Sequence, residues 1–78
     1  SLGRPLEDTV YDSKFTNMKE LRVQHRGKPL RAFFAFDPKR QAIVLCIGDK
    51  GNNKRFYKEM LATADQQYEC HLKTLGDL

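Results

Sequence analysis

From Lys19 to Lys50 the chain reads KELRVQHRGKPLRAFFAFDPKRQAIVLCIGDK, and large apolar residues recur there at alternate positions, the period of a β-strand. Two breaks interrupt the alternation. Arg26-Gly27 suits a two-residue hairpin turn in which Gly supplies a positive φ. Asp37-Pro38-Lys39-Arg40 suits a type I turn, because Pro presets φ and Asp can bond the backbone. The pattern therefore predicts three antiparallel strands, at about 18–25, 29–36 and 41–48. Pairing 25 with 28 sets 23 opposite 30, 21 opposite 32 and 22 opposite 31; pairing 36 with 41 sets 34 opposite 43, 32 opposite 45 and 31 opposite 46. These registers place Leu21, Val23, Leu30, Ala32, Phe34, Phe36, Ile43, Leu45 and Ile47 on one face. Glu20, Arg22, Gln24, Arg31, Phe33, Ala35, Ala42, Val44 and Cys46 fall on the other. The wholly apolar set is expected to be the core face and the arginine-bearing set to meet a ligand.

The period changes after Gly48–Asn53. Tyr57, Leu61, Ala64, Tyr68, Leu72 and Leu75 recur at helical spacing, joined by Phe56 and Met60, and predict a helix over about 53–75. Asn52 or Asn53 suits its N-cap and Gly76 its C-terminal stop. Residues 1–17 lack sustained periodicity and read as a loop with a short strand near Asp8–Tyr11, pinned by Leu2, Leu6, Val10, Tyr11 and Phe15. The expectation is one α+β domain over residues 1–78: a three-stranded antiparallel meander with a C-terminal helix.

With 40% apolar and 31% charged residues, the composition fits a soluble globular domain. No apolar run reaches the ~18–20 residues of a membrane helix, and the first residues lack a signal-peptide layout, so a cytoplasmic location is expected. Cys46 and Cys70 show neither CxxC nor zinc spacing and read as reduced packing thiols.

Charge changes the picture more. The net charge of +4 conceals eleven Lys/Arg against three acids between Lys19 and Lys58, with acidic excess on either side. Such a concentration suits a polyanionic partner as well as it suits a solvated surface. Lys54, Arg55 and Lys58, with Lys50 before them, cluster at the predicted helix start, where the macrodipole is already positive. Either long side chains carry these charges into water, or cations, amides and dipole converge on an anion such as phosphate.

Arg22 and Arg31 are predicted cross-strand neighbours, a like-charge pair that Glu20 or a phosphate could relieve. Phe33 beside them could stack a nucleobase or lie under the helix. His25 and His71 are isolated, no acidic cluster has magnesium spacing, and no P-loop or GxSxG is present. No metal or cofactor is expected. An enzyme built from these residues would work by proton transfer and electrostatic stabilisation. RNA suits that chemistry, since its own 2′-hydroxyl can attack the adjacent phosphate. Tyr57, amid cations, is a candidate proton-transfer group with a lowered pKa; it could equally be a core tyrosine with its hydroxyl at the rim.

The ordered combination NMKELR, GKPLRAFFAFDPKRQAIVLCIGDK and NKRFYKEM, followed by His71-Leu72, resembles the HigB-like, phage-related toxins of the RelE/ParE superfamily. The resemblance implies a bacterial type II toxin that cleaves mRNA on the ribosome without a metal, held inactive by a cognate antitoxin. By position, Arg31 and Tyr57 match the superfamily's phosphate-stabilising arginine and aromatic contributor, with Lys54 the third catalytic candidate. Lys50 and Arg55 also fall near the later basic position, and Arg22 matches a basic strand position of this branch. Only Lys19 lies near the lysines that RelE-type members carry on the first of these strands. Lys19, Arg22, Lys50, Arg55 and Lys58 are the expected substrate-binding set. A degenerate toxin that only binds antitoxin, a ParE-like gyrase inhibitor, or a nucleic-acid-binding module are the alternatives. Family members also carry an N-terminal strand and helical hairpin ahead of the GRP segment. This chain lacks them, so either homo-oligomerisation through an uncovered apolar sheet face or a truncated, inactive fragment is expected.

Overall fold

The computed structural model describes residues 6–51 and 55–76. Four strands, β1 (Leu6–Thr9), β2 (Lys19–His25), β3 (Lys28–Phe36) and β4 (Ala42–Asp49), precede one helix, α1 (Phe56–Thr74). The strands form an antiparallel sheet in the order β1-β2-β3-β4, so the α+β meander gains one strand over the three expected. The extra strand comes from the lead-in segment. Leu6–Thr9 pairs with Lys19–Arg22, and the Val10 amide donates to the Met18 carbonyl at 2.9 Å to close the ladder.

Both hairpins follow their turn chemistry, with different consequences for register. At the first, Arg26 (φ 51) and Gly27 (φ 76) both adopt the left-handed conformation of a two-residue turn whose twist matches the strands. His25 then pairs with Lys28, Val23 with Leu30 and Arg22 with Arg31, as expected. At the second, the Arg40 amide donates to the Asp37 carbonyl at 2.8 Å, and Asp37 Oδ1 accepts from the amides of Lys39 and Gln41. Arg40 adds a left-handed residue (φ 64) after the type I turn, which realigns that turn with the strand twist. Phe36 consequently pairs with Ala42, and the expected partner Gln41 is displaced by one position. A β-bulge follows, with Phe33 opposite Cys46 and Phe34 opposite Val44, leaving Leu45 unmatched. Together the two irregularities remove Ile43 and Leu45 from the predicted apolar face and add Ala42 and Val44.

The larger correction concerns which face is covered. Helix α1 packs on the face that carries Glu20, Arg22, Arg31 and Phe33. The core is Val10, Met18, Phe33, Ala35, Met60, Leu61, Ala64, Tyr68 and Leu72, with Phe15, Leu45, Cys46, Phe56 and Tyr57 packed around it. On the face expected to be core, Leu21, Val23, Leu30, Ala32 and Phe34 are half-buried, while Phe36, Val44 and Ile47 are 51%, 59% and 68% exposed. Small residues make this choice possible. The Phe56 ring fills the space above Gly48, where an added Cβ would lie 2.8 Å from Cε2. Ala35 and Ala64, both fully buried, likewise let the layers approach closely.

The helix stripe is the one expected: Met60, Leu61, Ala64, Tyr68 and Leu72 are buried and Leu75 half-buried. Asp65, also buried, accepts from the Ser13 hydroxyl and, at 3.1 Å, from the Lys14 amide, which ties the β1–β2 connection to α1. At the far end, buried Asp37 faces His71 Nε2 at 3.0 Å and the Tyr68 hydroxyl donates to the Phe36 carbonyl. Gly76 (φ 82) ends the helix, its amide donating to the Lys73 carbonyl. The helix begins at Phe56, with Arg55 in the N-cap position making no side-chain capping bond. The expected N-caps Asn52 and Asn53 lie outside the described residues. Cys46 and Cys70 are free thiols.

Candidate functional site

Strand pairing stacks two rows of side chains beneath the start of α1. One row is Glu20, Phe33 and Cys46; the next is Arg22, Arg31 and Gly48. The first turn of the helix lies over both. Tyr57 meets Phe33 edge to face, with ring centroids 5.4 Å apart and planes at 82°, and Phe56 covers Gly48. The geometry brings Arg22 and Tyr57 to the seam between sheet and helix, while Arg31, paired with Arg22 in the register, also lines a shallow depression with Leu21, Val23, Leu30, Ala32 and Ile47 on the open face. Phe33 is fully buried there and cannot stack a base.

The arginines differ in what surrounds them. The Arg22 guanidinium contacts the Asp8 carboxylate, and its buried Nε lies 3.5 Å from Glu20 Oε1 and makes no hydrogen bond. Lys19 donates to Thr9 Oγ1 at 3.1 Å and lies 4.0 Å from Glu7 Oε1. Two members of the expected substrate-binding set thus face carboxylates of β1, and the like-charge Arg22–Arg31 contact is relieved from within the protein. Arg31 is half-buried, donates from Nη1 to the Leu30 carbonyl at 3.0 Å, and has no carboxylate partner among the described residues. Glu7 and Asp8 were not legible as partners in the sequence, although the acidic excess of the lead-in segment was the available signal.

Tyr57 corrects the expectation of a lowered pKa. Burial pushes its phenol above the usual value near 10, and the negative charges of Glu20 and Asp12 push the same way against Arg22. The nearby acids and the apolar packing outweigh the cations, so the phenol stays protonated. Lys50, Arg55 and Lys58 are exposed around the helix start, and the Lys50 amide donates to the Pro29 carbonyl at 2.9 Å, holding the end of β4 beside β3. Lys54 lies outside the described residues. Lys58 lies on the open side of α1, among Arg55, Glu59 and Ala62. Among the described residues no group of three or more His, Cys, Asp or Glu could hold a metal ion, and no helix is long and apolar enough to cross a membrane.

Two Mycobacterium tuberculosis proteins are similar to this chain. One, provisionally described as the toxin HigB3, is 56% identical over 70 residues, which cover 88% of this chain and 60% of that protein. The other, provisionally described as the toxin HigB2, is 46% identical over 79 residues, covering 99% of this chain and 39% of that protein. The chain thus spans less than two thirds of the length of either relative. No solved structure matches it. The profile of the family described as "Phage derived protein Gp49-like (DUF891)" matches residues 1–69, most of the chain, and the protein therefore belongs to the phage-derived Gp49-like family.

Proposed function

We infer that the protein is the toxin of a bacterial type II toxin–antitoxin pair, an mRNA endonuclease that acts on the ribosome and is restrained by a cognate antitoxin. The observation that carries the reading is a protonated Tyr57 packed over the sheet rows that hold Phe33 and the Arg22–Arg31 pair, with exposed cations around the helix start. The resemblance in sequence and the toxin names of the two relatives support it.

In this reading the substrate's 2′-hydroxyl oxygen attacks the adjacent phosphorus and the bond to the 5′-oxygen breaks, leaving a 2′,3′-cyclic phosphate and a 5′-hydroxyl. Arg31 stabilises the charge that develops on the phosphate oxygens. Tyr57, held neutral, donates its proton to the departing 5′-oxygen. Lys54 is assigned the basic role at the attacking oxygen, and Lys50, Arg55 and Lys58 bind flanking phosphates. Lys19 and Arg22 hold the strand scaffold through β1.

Tyr57→Phe keeps the ring above Phe33 while removing the proton, and Arg31→Ala removes the charge. In translating ribosomes charged with a reporter mRNA, each is expected to lower the cutting rate about 10²- to 10³-fold, the effect of losing one transition-state donor. Cutting at an undiminished rate by the double variant would overturn the assignment. The internal pairing of Lys19 and Arg22 favours a second reading, a non-catalytic partner-binding protein such as a gyrase inhibitor. A DNA supercoiling assay separates the two, since an mRNA endonuclease leaves gyrase untouched.

A further inference from the structure

Between the β1–β2 connection and the first half of α1 lies an open depression of about 440 Å³, lined by Asp12, Tyr57, Lys58, Leu61, Ala62 and Asp65. Its polar and apolar parts are separated. Leu61, Ala62 and Tyr57 supply an apolar wall that includes an aromatic ring. The Asp65 carboxylate is fully engaged, one oxygen with the Ser13 hydroxyl and the other with the Lys14 amide. Those bonds pin the connection to the helix and so fix the backbone of Asp12, one residue earlier, at the rim. Asp12 is exposed and makes no hydrogen bond or ion pair among the described residues. Lys58 stands between this depression and a second one lined by Arg55, Lys58, Glu59 and Ala62.

An apolar wall accepts the face of a flat heterocycle, a carboxylate at the rim selects an edge bearing donors, and an ammonium beyond it meets a phosphate. The bases differ in what they offer a carboxylate. Guanine presents two parallel N–H donors, N1–H and N2–H, spaced to meet the two oxygens. Adenine and cytosine present one amino donor beside a ring acceptor that the carboxylate repels, and uracil presents one N–H between two carbonyls. We propose that this depression is a guanine subsite beside the cleavage site, in which Asp12 selects the base and Lys58 holds its phosphate. The proposal rests on the reading of the protein as an RNA-cleaving toxin and names the base that reading leaves open.

The test is a titration of the 78-residue chain with GMP, AMP and UMP, followed by amide NMR. GMP is expected to shift Ser13, Lys58, Leu61 and Ala62 and to bind about tenfold or more tightly than the others, the range of a bidentate base contact. Asp12→Asn, at an exposed position that leaves the remaining spectrum unchanged, is expected to abolish that preference. Equal affinity for the three nucleotides, shifts elsewhere, or a preference that survives Asp12→Asn would overturn the proposal. Mapping cut sites on ribosome-bound mRNA separates it from the parent reading. Cutting with no guanine bias controlled by Asp12 defeats the subsite alone. No cutting by the wild-type protein defeats the endonuclease, and the nucleotide titration then still decides the subsite.

Discussion

Which sheet face is the core is decided by comparing Phe33→Ala with Ile47→Ala. Phe33 is fully buried on the helix-covered face, whereas Ile47 is 68% exposed on the face that the alternation alone would choose. Truncating Phe33 removes a buried ring and leaves a cavity, at a cost of about 3–5 kcal/mol. It also removes the edge-to-face contact with Tyr57, which contributes roughly 0.5–1.5 kcal/mol. A domain of this length has a total stability of only about 4–12 kcal/mol, so Phe33→Ala is expected to be largely unfolded at modest urea concentrations. Phe33→Leu is the graded version, retaining most of the apolar volume and losing mainly the ring contact. About two thirds of Ile47 already faces water, so its truncation forfeits less than about 1 kcal/mol of burial. Urea denaturation followed by circular dichroism reads both variants as shifts in midpoint, with the slope checking that the transition stays cooperative. Measurements at several protein concentrations add a control, because a second copy seated on the open face would make the Ile47→Ala effect concentration-dependent. Equal losses for Phe33→Ala and Ile47→Ala at low protein concentration would refute the assignment of the core.

Gly48→Ala should move the helix start, since the new Cβ would lie 2.8 Å from the Phe56 ring. Overpacking of this kind costs about 1–3 kcal/mol, and Phe56→Leu in the same chain should recover part of the loss. Ultraviolet titration should show a phenol ionising above pH 10 that disappears in Tyr57→Phe; ionisation at or below 10 would contradict the burial of its hydroxyl. The contribution of Tyr57 to stability is fully present below the unfolded-state value and is lost as pH rises from there through the higher folded value, because over that interval the unfolded chain has released a proton that the folded one still holds. Asp37 works in the opposite sense. Its hydrogen bond to His71, then the Gln41 and Lys39 amides, hold its carboxyl below the usual 3.8. That contribution is present above the ordinary carboxylate value and disappears as pH falls through the lower folded value. Acid unfolding monitored down to pH 2 should therefore begin at higher pH than in Asp37→Asn relative to each protein's own neutral stability; identical acid limbs would remove Asp37 from the account.

Local chemistry made much of the architecture legible. The first hairpin register followed from Arg26-Gly27, the helix stripe from its 3.6-residue period, and the helix end from Gly76. The cross-strand pairing of Arg22 with Arg31 was likewise legible, because it follows directly from the register of the first hairpin. The sequence-level register failed at Arg40 and at Leu45, because a left-handed residue and a bulge each insert one position that strict alternation does not count. A short strand near Asp8 was visible, but its pairing with β2, and hence the carboxylates beside Lys19 and Arg22, required a contact across the chain.

Alternation by itself determined that two sets of side chains would face opposite ways, and which residues belonged to the sets along β2 and β3. It could not determine which set the helix would cover, since both carry apolar residues large enough to bury. Tertiary packing decided that. Gly48, Ala35 and Ala64 open one face to close approach, and Asp65 at the middle of α1 and His71 near its C-terminal end fasten the helix through Ser13, Lys14 and Asp37. Because the helix landed there, Phe33 became core, the Tyr57 phenol stayed protonated, and the arginine row became the floor of a seam instead of an open surface.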